Sequence, residues 1–236
     1  MKTYYPIMLD LEGKPCCVVG GGRVAERKAR GLLQAGAAVT MISPAFTPEL
    51  DRLAAAGDVR AIRRPYAPGM AEVRSAQLLF AATNDAAVNA LVCEEGRSLG
   101  IWVNGAGDTD HGDFILPATA RRGRLTVAVS TAGASPGLSR FVRTDIERRL
   151  DQDGYAPYVE LLHELRHTLQ ELVADSGERQ AMFRAMLQWE LLPRLRGETE
   201  VPAGLRQMLL HEVRQHPTLS GIRRIGESLL RLDEGT

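Results

Sequence analysis

The residues best placed to do chemistry follow short apolar runs. The first set is Gly20-Gly21-Gly22-Arg23-Val24-Ala25, which comes directly after Cys17-Val18-Val19 and has the spacing G-x-G-x-x-A. A strand that ends in such glycines and passes straight into a helix can hold a dinucleotide. Gly20 would make the turn, and Gly22 would let the backbone approach a pyrophosphate. Ala25 would let the helix lie close to the sheet, with its N-terminus facing the phosphates. The alternative is a purely structural strand-to-helix turn. The second set is Thr83 and Asn84, at the end of the run Leu78-Leu79-Phe80-Ala81-Ala82. In an open α/β sheet, ligands lie at the carboxyl ends of the strands, where these two would meet the nicotinamide-side ribose and phosphates. Either could instead only cap the next helix. Ser43 ends a third run, Ala38–Ile42, at the place where an acid normally accepts from the adenosine ribose. Ser43 can still bond a ribose, and Arg23 could instead favour a 2′-phosphate. These residues therefore leave NAD and NADP both open.

Two further stretches could act on a substrate. Asn104 to Asp113 is rich in glycine and aspartate and carries Asp108, Asp110, His111 and Asp113. An aspartate there could serve as general acid or base, or bind a cation; the same composition also makes a solvated turn. Ser130-Thr131-Ala132-Gly133-Ala134-Ser135-Pro136 offers hydroxyls and amides that could hold a carboxylate at a helix N-terminus, with Arg140 and Arg143 behind it. A tight strand-to-helix connection explains it equally well. His163-Glu164-Leu165-Arg166-His167 matches the H-E-x-x-H pattern of zinc peptidases. That chemistry needs a third ligand and an apolar setting. The surrounding segment is charged, so no metal site is expected.

The elements that would position these groups alternate in type. Val24, Ala25, Lys28, Ala29, Leu32 and Leu33 recur at helical spacing, and a helix is expected from Arg23 to Ala35 with Gly36 as its C-cap. Strands are expected at Cys16–Val19, Ala38–Ser43, Val59–Arg64, Leu78–Ala82 and Ile101–Asn104. Helices are expected at Thr47–Ala56 and Asp85–Gly96. This order implies a doubly wound parallel sheet. Phe114–Ala118 and Leu125–Ser130 read as two more strands joined by Arg121-Arg122-Gly123-Arg124, and a helix runs from Ser135-Pro136 to about Leu150. Beyond Asp151 only helices are expected, at Tyr158–Val173, Glu178–Leu195, Leu205–Val213 and Leu219–Leu232. Boundaries fall near 112–113 and 150, which divides the chain into 1–112, 113–150 and 151–236.

Composition restricts the class. The 236 residues are 44% hydrophobic and 25% charged, with a formal net charge of zero, so no global field favours nucleic acid or an anionic membrane. Three cysteines, two of them adjacent, make neither a disulfide framework nor a C-x-x-C metal site. No signal peptide or membrane-length apolar run is read, and a cytoplasmic location is expected.

Taken in order, the motifs resemble one family. Pro6-Ile7-Met8-Leu9 comes first, then Val18-Val19-Gly20-Gly21-Gly22-Arg23-Val24-Ala25-Glu26-Arg27-Lys28. Ala82-Thr83-Asn84-Asp85 with Asn89 follows, then Asp113-Phe114-Ile115-Leu116-Pro117-Ala118 and Val129-Ser130-Thr131-Ala132-Gly133-Ala134-Ser135-Pro136. Together they resemble the precorrin-2 dehydrogenases of sirohaem biosynthesis, some of which are also sirohydrochlorin ferrochelatases. The resemblance spans Pro6 to about Leu150. It implies a Rossmann-like domain (1–112), a small α+β dimerisation region (113–150) that makes a homodimer, and a helical C-terminal domain (151–236). It also implies NAD as cofactor, oxidation of precorrin-2 to sirohydrochlorin, and in some members insertion of ferrous iron. The implied cofactor residues are Gly20, Gly21, Gly22, Arg23, Val24, Ser43, Thr83, Asn84 and Asn104. Ser130, Ser135 and Arg140 are implied for the substrate, whose carboxylates would also suit Arg121, Arg122 and Arg124. One departure stands out. Where the family has an aspartate three residues after the asparagine, as acid/base and metal-handling group, this chain has Gly107, with Asp108 one residue on. Either Asp108 takes the role, or the chain performs hydride transfer without it, or it binds nucleotide and tetrapyrrole without turnover. Iron insertion as the main activity is the remaining reading.

Overall fold

The structure is a computed structural model that describes residues 3–105 and 112–231. Its chain divides between Leu116 and Pro117 into two compact units.

The first unit is built on a parallel sheet. β1 (Pro15–Val19), β2 (Ala38–Ile42), β3 (Val59–Ile62), β4 (Leu78–Ala81) and β5 (Trp102–Gly105) lie in the order β3-β2-β1-β4-β5. Every neighbouring pair is parallel, with Cys16 opposite both Val39 and Leu78. The order reverses between β1 and β4, which is where such sheets open a ligand crevice. β1 and β4 are buried along nearly all their length, as central parallel strands covered on both faces must be. One face carries Val18, Met41, Leu50, Phe80 and the α1 (Arg23–Gln34) residues Ala25, Ala29 and Leu32. The other carries Val19, Ile42, Leu79, Val103 and, from α4 (Ala86–Ser98), Val92 and Cys93. Gly96 lets α4 lie directly on the sheet, because a Cβ there would meet the side chains of Val103 and Leu79. α2 (Pro48–Ala56) starts as expected at Thr47, whose Oγ1 accepts from Leu50 N. A short helix α3 (Ala71–Arg74) was not expected.

The second unit opens with an antiparallel hairpin of β6 (Ala118–Arg122) and β7 (Leu125–Val129), joined at Gly123-Arg124. The expected strand at Phe114–Ala118 is therefore corrected: pairing begins only at Ala118. Phe114 instead packs edge-on against Phe80, ring centroids 5.5 Å apart, in the core of the first unit, and Pro117 cannot donate to a ladder. α5 (Pro136–Gln152) follows, capped by Ser135 Oγ, which accepts from Leu138 N. α6 (Tyr155–Leu172), α7 (Ser176–Met186), α8 (Ala203–Gln215) and α9 (Leu219–Arg231) share a core of Leu161, Leu165, Leu169, Met182, Met186, Leu195, Leu209, Val213 and Ile222. The single helix expected over Glu178–Leu195 is corrected: α7 ends at Met186, and only a 3₁₀ turn, Pro193–Leu195, follows. Trp189 breaks the run by turning inward, its indole N–H donating to Ile222 O at 3.0 Å. Among the described residues no helix is long and apolar enough to cross a membrane.

Candidate nucleotide-binding site

The glycine turn sits at the carboxyl end of β1, beside the point where strand order reverses. Its glycines have different reasons to be glycine. Gly20 has φ of +133°, and a Cβ there would strike the Ala82 carbonyl at the end of β4. Gly21 is wedged against Ala45 and Ser43, whose Oγ would lie 2.7 Å from an added Cβ. Gly22 has no such neighbour: nothing lies within 4 Å of where its Cβ would be, and its φ of −88° suits any residue. No side chain caps α1, so the turn presents backbone, open space and the first-turn amides of the helix. That arrangement fits a pyrophosphate, because only the glycine facing outward is free of packing constraints. Val24 is 40% exposed, and Arg23 is exposed too, both on the first turn of α1.

Around this turn the polar groups are held firmly. Ser43 is buried and its Oγ donates to Ala45 O at 2.8 Å, so its proton serves the backbone after β2. Thr83 is locked to Asn89: Thr83 N and Oγ1 both donate to Asn89 Oδ1, at 3.0 and 2.8 Å, and Asn89 Nδ2 returns to Thr83 O at 3.1 Å. Asp85 caps α4 by accepting from Ala87 N and Val88 N, which leaves Asn84 between two fixed neighbours. Asn89, which the sequence marks only as following the Ala82–Asp85 motif, shapes the end of β4.

At the end of β5, Asn104 is buried and both ends of its amide are engaged. Its Nδ2 donates to Phe114 O at 2.8 Å, and its Oδ1 accepts from Lys28 Nζ. Asp113 lies nearby with its Oδ2 accepting from Val103 N at 2.8 Å, so this carboxylate secures the backbone beside β5. Asp108, with Asp110 and His111, lies outside the described residues.

Lys28 was not assigned a role from the sequence, although a signal was present: a lysine among the apolar positions of α1. It is 8% exposed, its Nζ lies 5.2 Å from the centre of the Phe80 ring, and burial, helped by neighbouring Arg27, pulls its ammonium down to about 8. The three cysteines are buried and outside any disulfide, and burial pushes Cys17 up to about 12, which does not suit a nucleophile.

In the second unit, Ser130 Oγ accepts from Ala132 N at 3.1 Å, and Thr131 Oγ1 accepts from Ser135 N at 3.0 Å. Ala132 has φ of +51°, which is uncommon for a residue with a Cβ. Arg122 and Arg124 are paired with Asp151 and Glu160, whereas Arg121 and Arg140 are exposed and make no ion pair among the described residues. The H-E-x-x-H segment lies on α6 with its two imidazoles edge to face, but Glu164 is taken up by Arg206 in a two-pronged pair. Among the described residues no cluster of three or more His, Cys, Asp or Glu could hold a metal.

Comparison with known proteins matches this geometry. Residues 7–118 fit the family described as putative NAD(P)-binding, and residues 122–149 fit the sirohaem biosynthesis protein central family. A precorrin-2 dehydrogenase of Priestia megaterium is 33% identical over 183 residues, which cover 78% of this chain and 89% of that protein. The chain belongs to the precorrin-2 dehydrogenase and siroheme synthase family. The solved structure of SirC, precorrin-2 dehydrogenase, superposes with a TM-score of 0.72 at 29% identity and covers 90% of this chain and all of that one. Siroheme synthase 1 of Aeromonas salmonicida is 38% identical over 184 residues, but the chain spans only 39% of that protein's length. The first match takes in the glycine turn Gly20–Val24, and the second takes in β7 and most of α5.

Proposed function

We propose that this chain catalyses the NAD-dependent oxidation of precorrin-2 to sirohydrochlorin. The observation that carries the proposal is the outward-facing, unobstructed Gly22 at the end of β1, in a chain that spans nearly all of a precorrin-2 dehydrogenase. NAD, when bound, supplies the nicotinamide C4 that accepts the hydride. The turn Gly20–Val24 and the uncapped start of α1 bind the pyrophosphate, and Ser43 bounds the adenosine ribose. Asn84, between Thr83 and Asp85, and Asn104 at the end of β5 shape the nicotinamide side. Arg140, Ser130 and Ser135 take carboxylates of the tetrapyrrole, with Arg121, which makes no ion pair among the described residues, as a second cation. Asp108 removes the proton that leaves the macrocycle as the hydride departs. The working unit is a homodimer.

The choice of NAD over NADP rests on the resemblance of the sequence motifs, since the matching family is described as NAD(P)-binding. At the end of β2 the chain places Ser43 where an acid for the ribose would stand. The test is purified protein with precorrin-2 and either NAD or NADP. The sirohydrochlorin spectrum should grow with NAD. Its failure to appear with either cofactor, while the protein still binds nucleotide, would establish the binding-protein reading motivated by Gly107. Adding ferrous iron to supplied sirohydrochlorin without nucleotide tests iron insertion in the same preparation.

A further inference from the structure

Lys28 reaches the end of β5 beside Asn104 and has no part in the proposed reaction. An ammonium buried between a helix and a sheet is unfavourable unless paired. Here its partner is a neutral amide, Asn104 Oδ1, and an aromatic ring, Phe80, rather than a carboxylate. Among the described residues, therefore, no carboxylate cancels the charge where it sits. Its position follows from the sheet order: α1 leaves β1, but Lys28 reaches over β4 to the carboxyl end of β5. That is the side of the β1/β4 switch away from β2, where the nicotinamide half of a dinucleotide belongs. Oxidised nicotinamide carries a positive ring charge and the reduced ring carries none. An uncancelled positive charge on that side penalises the first form and leaves the second almost untouched.

We propose that Lys28 biases this site toward the reduced nicotinamide, and so favours acceptance of the hydride, by the field of its ammonium acting through the Asn104 end of β5. This inference rests on the dinucleotide reading above. Lys28 itself touches neither ring nor substrate; it acts at a distance in a water-poor setting, where a unit charge is worth far more than in solvent.

The test compares dissociation constants for NAD and NADH, measured by calorimetry or fluorescence, with no turnover involved. In Lys28→Met the ratio of the NAD constant to the NADH constant should fall on the order of tenfold, the usual effect of one unit charge at an effective dielectric of about 20. Lys28→Arg keeps the charge and should keep the ratio. A second measurement needs no substitution. Between pH 7 and about pH 9.5 the wild-type ratio should fall as the ammonium, held near 8, loses its proton, while Lys28→Arg stays flat. Among the described residues, the groups facing Lys28 from β4 and β5 are Phe80 and Asn104, which do not titrate, and its charged neighbour on α1 is Arg27. A merely structural lysine predicts that Lys28→Met weakens both nucleotides equally. That result, or a wild-type ratio indifferent to pH, overturns the inference. If Lys28→Met does not fold, the pH series decides alone. If wild type binds neither nucleotide at millimolar concentration, the dinucleotide reading itself is lost.

Discussion

At the scale of single residues, the glycine turn separates packing from binding. Gly20 is held at φ of +133° with the Ala82 carbonyl where a Cβ would be, so Gly20→Ala must shift backbone. It should lower the unfolding free energy by about 2 kcal/mol or more, seen as a drop in Tm, whether or not nucleotide is present. Gly22→Ala should leave Tm unchanged, because φ is ordinary and the space is empty. Its effect should be confined to nucleotide, with affinity down at least tenfold by titration; unchanged affinity would mean that no pyrophosphate lies against Gly22. Lys28 adds a pH dependence whose sign is fixed. In the unfolded chain its pKa is about 10.4 and in the folded chain about 8, so between those values the unfolded state holds more protons. Stability contributed at this position is full above the unfolded value and is lost as pH falls toward 8. Relative to Lys28→Met, wild type should gain on the order of 2 kcal/mol between pH 7 and pH 10 in urea unfolding. Lys28 was visible in the sequence as a lysine in an apolar stripe. What could not be read was its partner, since Asn104 is distant in sequence and only the parallel pairing of β4 with β5 brings it near.

At the scale of elements, the β-α-β start was legible because apolar runs, glycines and a 3.6-residue spacing agree there. Disagreement arose where a side chain serves a neighbour rather than its own segment. Phe114-Ile115-Leu116 has the composition of a strand, but Phe114 fills the space beside Phe80. Glu178–Leu195 has the composition of a helix, but Trp189 turns in to reach Ile222 O and Pro193 cannot continue the ladder. α5 shows why a site residue can be read in two ways. Ser135 Oγ caps the helix through Leu138 N, and as a cap it needs no ligand to justify it. Two substitutions part the roles. Ser135→Ala should lower stability by about 1 kcal/mol, and Ser135→Gly by only a few tenths, because glycine is itself a tolerated cap. If the hydroxyl also binds substrate, both should raise KM for the tetrapyrrole by the same factor. Those unequal losses of stability with an unchanged KM would leave Ser135 a cap alone.

At the scale of the whole molecule, each unit carries its own apolar core, and a working enzyme needs more than the cores explain. The second unit shows what is missing. A two-stranded hairpin is marginal by itself, and β7 is half-exposed along most of its length. α5 packs against the hairpin, yet Phe141 is 73% exposed and Leu138 51% exposed. Large apolar side chains on a helix beside an unfinished sheet are what a second copy of the same unit would cover, and the resulting isologous interface would repeat each contact twice. The proposed homodimer therefore makes a definite prediction. Phe141→Glu introduces two buried charges across a two-fold interface but only an exposed one in a monomer. Wild type should run as a dimer by light scattering at micromolar concentration, and Phe141→Glu as a monomer with its far-ultraviolet helical signal retained. Nucleotide affinity should survive in that monomer, since the Gly20–Val24 turn and Lys28 lie wholly in the first unit. Turnover should fall if the partner's α5 region completes the substrate site. A wild-type protein that is already monomeric, with full turnover, would leave Phe141 without this purpose and the homodimer proposal without support.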